Sequence, residues 1–192
     1  MIKKIRSAII YLVIIAVLGF AIFYTIIKPK LSTSSSSKQS SGNQSGALST
    51  QALFAAKLPD PAGKIQELHQ WQGKIIVLNF WATWCPPCRE EMPELSALNT
   101  EYQNRNVVVI GIAIDEMDAV KAFVNDAKPD AIKVSYPLLA AEVEGMGLAS
   151  GLGNDKGVLP FTLIIKPDGT VAKSYFGRVT KPLLEETLAK LL

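Results

Sequence analysis

Hydrophobic positions fall into three patterns along this chain: an unbroken apolar run near the start, a stretch with almost none, then short apolar bursts separated by polar turns. The bursts carry the fold. Lys74 to Phe80 is apolar and partly β-branched, and reads as a buried strand. Cys88 to about Tyr102 reads as a helix, because Leu95, Leu98 and Tyr102 share one face. Pro93 lies inside that helix, where the missing N–H predicts a kink. Val107 to Ile114 is too uniformly apolar for a half-exposed edge and reads as a second buried strand. Asp118 to Asp126 predicts a short helix burying Val120, Phe123 and Val124. Tyr136 to Leu139 predicts a short extended segment, and Ala140 to Met146 a helical turn or two. The glycine-rich stretch Gly145 to Gly157 reads as a loop. Phe161 to Ile165 and Val171 to Tyr175 are strands joined by the turn Pro167-Asp168-Gly169-Thr170. Thr180 is placed to cap a last helix with Pro182 in its first turn and a stripe of Leu183, Leu184, Leu188 and Leu191. Strands alternating with helices, then a hairpin and a helix, predict a mixed α/β sheet with helices on both faces and right-handed crossovers between parallel neighbours.

The early apolar run is of a different kind. Ser7 to Ile27 contains no charged residue. About 21 residues at about 1.5 Å each span roughly 30 Å, the thickness of a bilayer core. Tyr11 and Tyr24 lie near its ends, as interfacial anchors do. A cleaved signal peptide is the alternative, but its apolar region is about 7–15 residues long, and Lys28-Pro29-Lys30 stands where a small-residue cleavage site would be. Residues 1–30 therefore read as a single transmembrane anchor. Lys3, Lys4 and Arg6 against Lys28 and Lys30 favour the N-terminus inside by a small margin, with everything after residue 30 outside. Residues 31–50 are serine-rich, with Gly42 and Gly46, and cannot bury enough apolar surface to offset ordering. They read as a flexible linker with an r.m.s. span of roughly 25 Å. Residues 51–192 are one domain's worth of chain.

Charge sharpens this division. All 17 acidic residues and 14 of the 20 basic ones lie beyond residue 50. The domain is thus near −3 and the first 50 residues +6, against +3 for the whole chain. The basic balance belongs to the anchor and linker, and no basic patch interleaved with aromatics points to nucleic acid.

The chemistry is concentrated in Trp84-Cys85-Pro86-Pro87-Cys88, which holds the only two cysteines. They can pair with each other and with nothing else in the chain. They lie where the first strong strand hands over to a helix, and a helix N-terminus stabilises a thiolate. A structural disulfide is the plain alternative, but a bridge closing so short a loop stabilises little. A structural zinc site needs four ligands. Cys85, Cys88 and His69 supply three at most, which leaves only a four-thiolate site shared by two copies. The glycines from Gly145 to Gly157 lack the ending of a phosphate loop. They are read as bends that lend mobility near Pro160.

From about Ile75 onward the chain resembles the thioredoxin fold, and more closely the membrane-tethered TlpA/ResA-like thiol–disulfide oxidoreductases. The residues that carry the resemblance are Asn79-Phe80-Trp81-Ala82-Thr83-Trp84-Cys85-Pro86-Pro87-Cys88-Arg89, Pro93, Gly157-Val158-Leu159-Pro160-Phe161-Thr162 and the Pro-Asp-Gly hairpin. The long segment around residues 115–157, the anchor and the linker fit the same group.

The resemblance implies a thioredoxin-like mixed sheet and a redox dithiol. Cys85 is the attacking sulfur and Cys88 the shielded one that resolves the mixed disulfide. Pro160 is cis and faces the dithiol, and the backbone of Leu159 pairs with an extended substrate segment. Trp84 forms a partly exposed wall beside Cys85, with Pro86 and Pro87 at the substrate side, while Trp81 packs in the core. Met92 and Met146 are read as packing residues. Pro86 and Pro87 bring no N–H to the sulfur, which predicts a Cys85 acidity near thioredoxin's (pKa about 7) and a reducing protein.

Asn79 stands where thioredoxin has a buried aspartate, and an amide is no base at neutral pH. The proton acceptor for Cys88 is thus unassigned; Glu142, Glu144, Asp115 and Glu116 are the nearby acids, each read first as a solvated surface charge. No cofactor is expected, because no flavin or nicotinamide motif is visible and the dithiol carries the electrons. The expected partners are protein disulfides, such as apocytochromes during haem attachment, a membrane thiol carrier that supplies electrons, and lipid around the anchor. The protein is expected to be a monomer. The competing readings are a disulfide oxidase or isomerase, and a chaperone holding Cu(I) between the thiolates. A peroxidase lacks its Pro-x-x-x-Thr-x-x-Cys site here.

Overall fold

The computed structural model describes Phe20 and residues 49–192. The predicted span and almost all of the linker lie outside the described residues. Among the described residues, no helix is long and apolar enough to cross a membrane.

The central strand is β3, Ile75–Trp81, and all seven of its residues are buried. β-branched and aromatic side chains on both faces suit it to the middle of a sheet. Val107–Ala113 (β4) lies parallel to it, with Trp81 opposite Ala113. Leu138–Ala140 (β5) lies parallel to β4 at one edge. On the other side Phe161–Ile165 (β6) runs antiparallel to β3, and Val171–Phe176 (β7) antiparallel to β6. The five-stranded order is β5-β4-β3-β6-β7. The β6–β7 turn closes as its Pro-Asp-Gly sequence predicts: Asp168 Oδ1 accepts from the Thr170 N–H and hydroxyl, and Gly169 takes φ +84°.

Period-2 alternation in β3 divides the core. Ile75, Val77 and Trp81 face one cluster, which holds Cys88, Met92, Leu95 and Leu98 of α2 (Pro86–Tyr102) and Leu184 and Leu188 of α5 (Lys181–Leu188). Val120 of α3 (Met117–Val124) joins this face, and Phe123 packs its ring 5.1 Å from Trp81. Ile76, Leu78 and Phe80 face the second cluster, with Leu53 of α1 (Gln51–Ala55) and with Ala149 of α4 (Glu142–Gly151). Helices thus cover both faces. Each fully buried Leu, Ile or Phe contributes roughly 1.5–3 kcal/mol.

Three local expectations are corrected. The glycine-rich stretch is not all loop, because α4 runs through Gly145, Gly147 and Gly151. Glycine is a poor helix former, but at 145 it lets the helix approach β4 closely. A Cβ there would meet Ala141 Cβ at 3.0 Å and Ile114 Cγ1 at 3.3 Å. Nor is the rest of the stretch loose beside Pro160. Asn154, only 2% exposed, fastens it by donating to the Val158 carbonyl and accepting from the Val158 N–H, both at 2.9 Å.

Thr180 precedes α5 but its side chain makes no capping bond. The N–H groups there are taken by α2 instead: Val179 donates to Glu91 Oε2 at 2.8 Å and Lys181 to Glu94 Oε2 at 3.0 Å. The chain before β3 is also structured where no element was expected. α1 leads into a two-stranded hairpin, Lys57–Pro59 (β1) and Ile65–Glu67 (β2), and a 3₁₀ turn at Leu68–Trp71. These pieces are too short for periodicity to reveal. Leu53, Leu58, Leu68 and Trp71 each bury one side chain under the second face.

Candidate active site

The carboxyl end of β3 leads through Ala82–Trp84 into α2, and Cys85 is the N-cap of that helix. Pro86 and Pro87 occupy the first turn, where a missing N–H costs no intrahelical bond. The first free donor is Cys88 N–H, which points at Cys85 Sγ at 3.3 Å. The two sulfurs form a disulfide, with the Cα atoms 5.3 Å apart. Cys85 is 5% exposed and Cys88 fully buried, so one sulfur is reached from outside before the other.

Among the residues singled out above, Trp84 directly precedes Cys85, and Pro86 and Pro87 lie between the two cysteines. Trp84 is 67% exposed, and Pro86 and Pro87 are exposed beside it. Trp81 is fully buried. Pro160 follows a cis peptide bond. Leu159 is half-buried and packs against the cluster that contains both cysteines. Pro160 gives its carbonyl to the Gly177 N–H at 2.9 Å, whereas among the described residues the backbone of Leu159 forms no hydrogen bond. Met92 is core, and Met146 lies partly exposed against Gly157. His69 is remote in role: it sits on the 3₁₀ turn beside Glu67, with Nδ1 3.4 Å from Oε2. A groove of about 750 Å³ lies between Asp60, Trp71 and Leu139.

Below the dithiol lies a group the sequence reading did not single out. Glu91, one turn after Cys88, is fully buried. Its Oε1 accepts from Asn79 Nδ2 at 2.6 Å and its Oε2 from the Val179 N–H at 2.8 Å. Burial pushes its carboxyl from the ordinary 4.5 up to about 7, against the pull of these two donors and of Arg178. Asn79 also donates to Thr162 Oγ1 at 3.0 Å, while its Oδ1 has no partner. Thus the amide at 79 is not the acid but its holder. A signal was present in sequence: Glu91 stands at i+3 from Cys88 and at i−4 and i−7 from Leu95 and Leu98, on the helix's apolar stripe.

Residues 50–174 match the AhpC/TSA family model. The chain belongs to the AhpC/TSA family. A thiol–disulfide oxidoreductase ResA from Bacillus thuringiensis (strain Al Hakam) is 38% identical over 133 residues, covering 69% of this chain and 72% of the relative. The thioredoxin-like protein YneN of Bacillus subtilis (strain 168) is 28% identical over 191 residues, 98% of each chain. Among solved structures, a thioredoxin-family thiol:disulfide interchange protein from Chlorobium tepidum TLS superposes with a TM-score of 0.59 at 26% identity, over 71% of this chain and 92% of that one. Within its family the chain is a thiol–disulfide oxidoreductase.

Proposed function

We propose that this protein reduces protein disulfides outside the cytoplasmic membrane, tethered by residues 1–30 and a flexible linker. The observation that carries this reading is the dithiol at the start of α2: one cysteine 5% exposed, the other fully buried, and a carboxyl of pKa about 7 a turn below.

In the reduced protein the Cys85 thiolate attacks one sulfur of a substrate disulfide. A mixed disulfide forms and the substrate's second sulfur leaves as a thiolate, which takes a proton from solvent. Cys88 then gives its proton to Glu91 and attacks Cys85 Sγ. The Cys85–Cys88 disulfide forms, the substrate's first sulfur leaves, and the proton returns from Glu91 to that leaving thiolate. The substrate gains two electrons from the dithiol and two protons, one from solvent and one from Cys88 by way of Glu91. A base whose pKa lies near the working pH is half ionised there and exchanges its proton in both directions. The backbone of Leu159, without a hydrogen bond among the described residues, offers an N–H and a C=O to an extended segment, and the exposed Trp84 next to Cys85 serves as an apolar wall. A membrane thiol carrier restores the dithiol. Apocytochromes awaiting haem are the substrate class we favour. An oxidase or isomerase is the second reading.

Trapping tests the assignment. Cys88→Ser leaves Cys85 unable to release its substrate, so a mixed disulfide accumulates; Cys85→Ser accumulates none. Equal trapping by both variants, or by neither, contradicts the roles.

A further inference from the structure

Asp115 lies two residues beyond β4, and Thr83 two residues beyond β3. The register sets Trp81 opposite Ala113, so Thr83 and Asp115 continue the same alignment. The backbone ladder ends with Ile114 N–H donating to the Trp81 carbonyl at 2.8 Å. Beyond it a side chain takes over. Asp115 Oδ2 accepts from the Thr83 N–H at 2.8 Å and from the Thr83 hydroxyl at 2.5 Å, and Oδ1 accepts from the Glu116 N–H at 3.2 Å. Three donors and no acceptor face this carboxyl. The turn it holds is the one that presents the nucleophile, since the Cys85 N–H closes on the Ala82 carbonyl at 3.2 Å.

Resting on the reading of Cys85 as the attacking sulfur, we propose that Asp115 is a positioning residue of the dithiol: it fixes the Ala82–Cys85 turn, and its charge holds the Cys85 thiolate less stable and the couple more reducing. Thr83 and Cys85 are two residues apart, which places their Cα atoms within about 7 Å and the carboxylate within about 10 Å of the sulfur. A unit charge at that distance raises a thiol's pKa by about one pH unit at an effective dielectric near 20, and by about half that once solvent screens the half-exposed carboxylate. The other charged groups around the turn are Arg89, Glu90 and Glu91 on α2, Arg178, which reaches Glu90 at 3.1 Å, and Glu116. They are common to all the variants below, so their effects cancel in the comparison.

The test uses the full chain. In the Cys88→Ser background only Cys85 remains, and the pH midpoint of its alkylation by iodoacetamide reads its acidity. Asp115→Asn keeps an acceptor for Thr83 and removes the charge; the midpoint falls by about half a pH unit. Thr83→Val keeps the charge and loses one bond; the midpoint stays within about 0.2 units of the parent. With both cysteines present, Asp115→Ala loses charge and clamp together, and reduces insulin disulfides about tenfold more slowly than Asp115→Asn. An unmoved midpoint in Asp115→Asn overturns the charge role, and equal rates for the alanine and asparagine variants overturn the clamp. A parent chain with both cysteines that fails to reduce insulin instead overturns the reading of the dithiol itself.

Discussion

Replacing Glu91 by Gln removes the one buried acid beneath the dithiol, and the structure sets the size and sign of the effect. The carboxyl titrates near 7 in the fold and near 4.5 when exposed. Below pH 4.5 both states are protonated and Glu91 carries no penalty. Between 4.5 and 7 the unfolded chain ionises while the folded one holds its proton, so stability falls as pH rises. Above 7 the fold carries a buried charge and the loss levels off. A gap of about 2.5 pH units at 1.36 kcal/mol each gives roughly 3 kcal/mol at most. Glutamine keeps an acceptor for Val179 N–H, and its own N–H₂ can reach Asn79 Oδ1, the acceptor without a partner. The variant should fold and lose this pH dependence. Urea unfolding of the oxidised protein at pH 5 and pH 8 measures it, with both cysteines held in the disulfide. We expect parent and variant to diverge by about 2–3 kcal/mol between the two pH values, the variant changing less. Parallel pH profiles would refute the assignment of a raised pKa to Glu91, and with it the proton route from Cys88.

Three further predictions rest on separate observations. Gly111→Ala should destabilise by about 1–3 kcal/mol in urea unfolding, because its Cβ would meet Leu138 Cδ2 at 2.6 Å between Tyr136 and Trp81; an unchanged midpoint would mean that β5 yields freely. Removing residues 1–55 should cost about 2–4 kcal/mol relative to removing 1–48, since Leu53 is 3% exposed and the Thr50 hydroxyl donates to the Gly169 carbonyl at 2.6 Å; equal unfolding midpoints would place the domain's edge after Ala55. Trp84→Ala should leave stability within about 0.5 kcal/mol while raising KM for a protein disulfide several-fold and leaving the rate with a small aromatic disulfide unchanged, and an unchanged protein KM would remove Trp84 from the substrate surface.

The strands that build the sheet centre were legible because their apolar runs are long and bounded by turns, as at Ile75–Trp81 and Phe161–Ile165. The dithiol's place was legible from a strand running into Trp84-Cys85-Pro86-Pro87-Cys88. What escaped the sequence were features decided by tertiary contact. The second half of α4 reads as loop in sequence because glycine disfavours helices in isolation, whereas Gly145 here serves close approach to Ile114. The N-terminal hairpin shows no period because its strands are three residues each, with Leu58 buried in β1 and no residue fully buried in β2. Glu91's part in the site depends on its contact with Asn79, which lies on another element, although its spacing from Leu95 and Leu98 places it on the buried stripe. Asp115 was weighed only as a proton acceptor or a surface charge, since nothing in sequence pairs residue 115 with 83 before the β3–β4 register is known.

The reducing direction is the centre of the account, and the reduction potential of the Cys85–Cys88 couple tests it most directly. Among the described residues only one N–H, from Cys88, reaches the Cys85 sulfur at the proline-filled start of α2, so the thiolate is weakly held. Equilibration in defined thiol buffers at pH 7 should give a value near −270 mV, the range of thioredoxin. A value near −120 mV, the range of a strong oxidant such as DsbA, would contradict the account and make the protein a donor of disulfides.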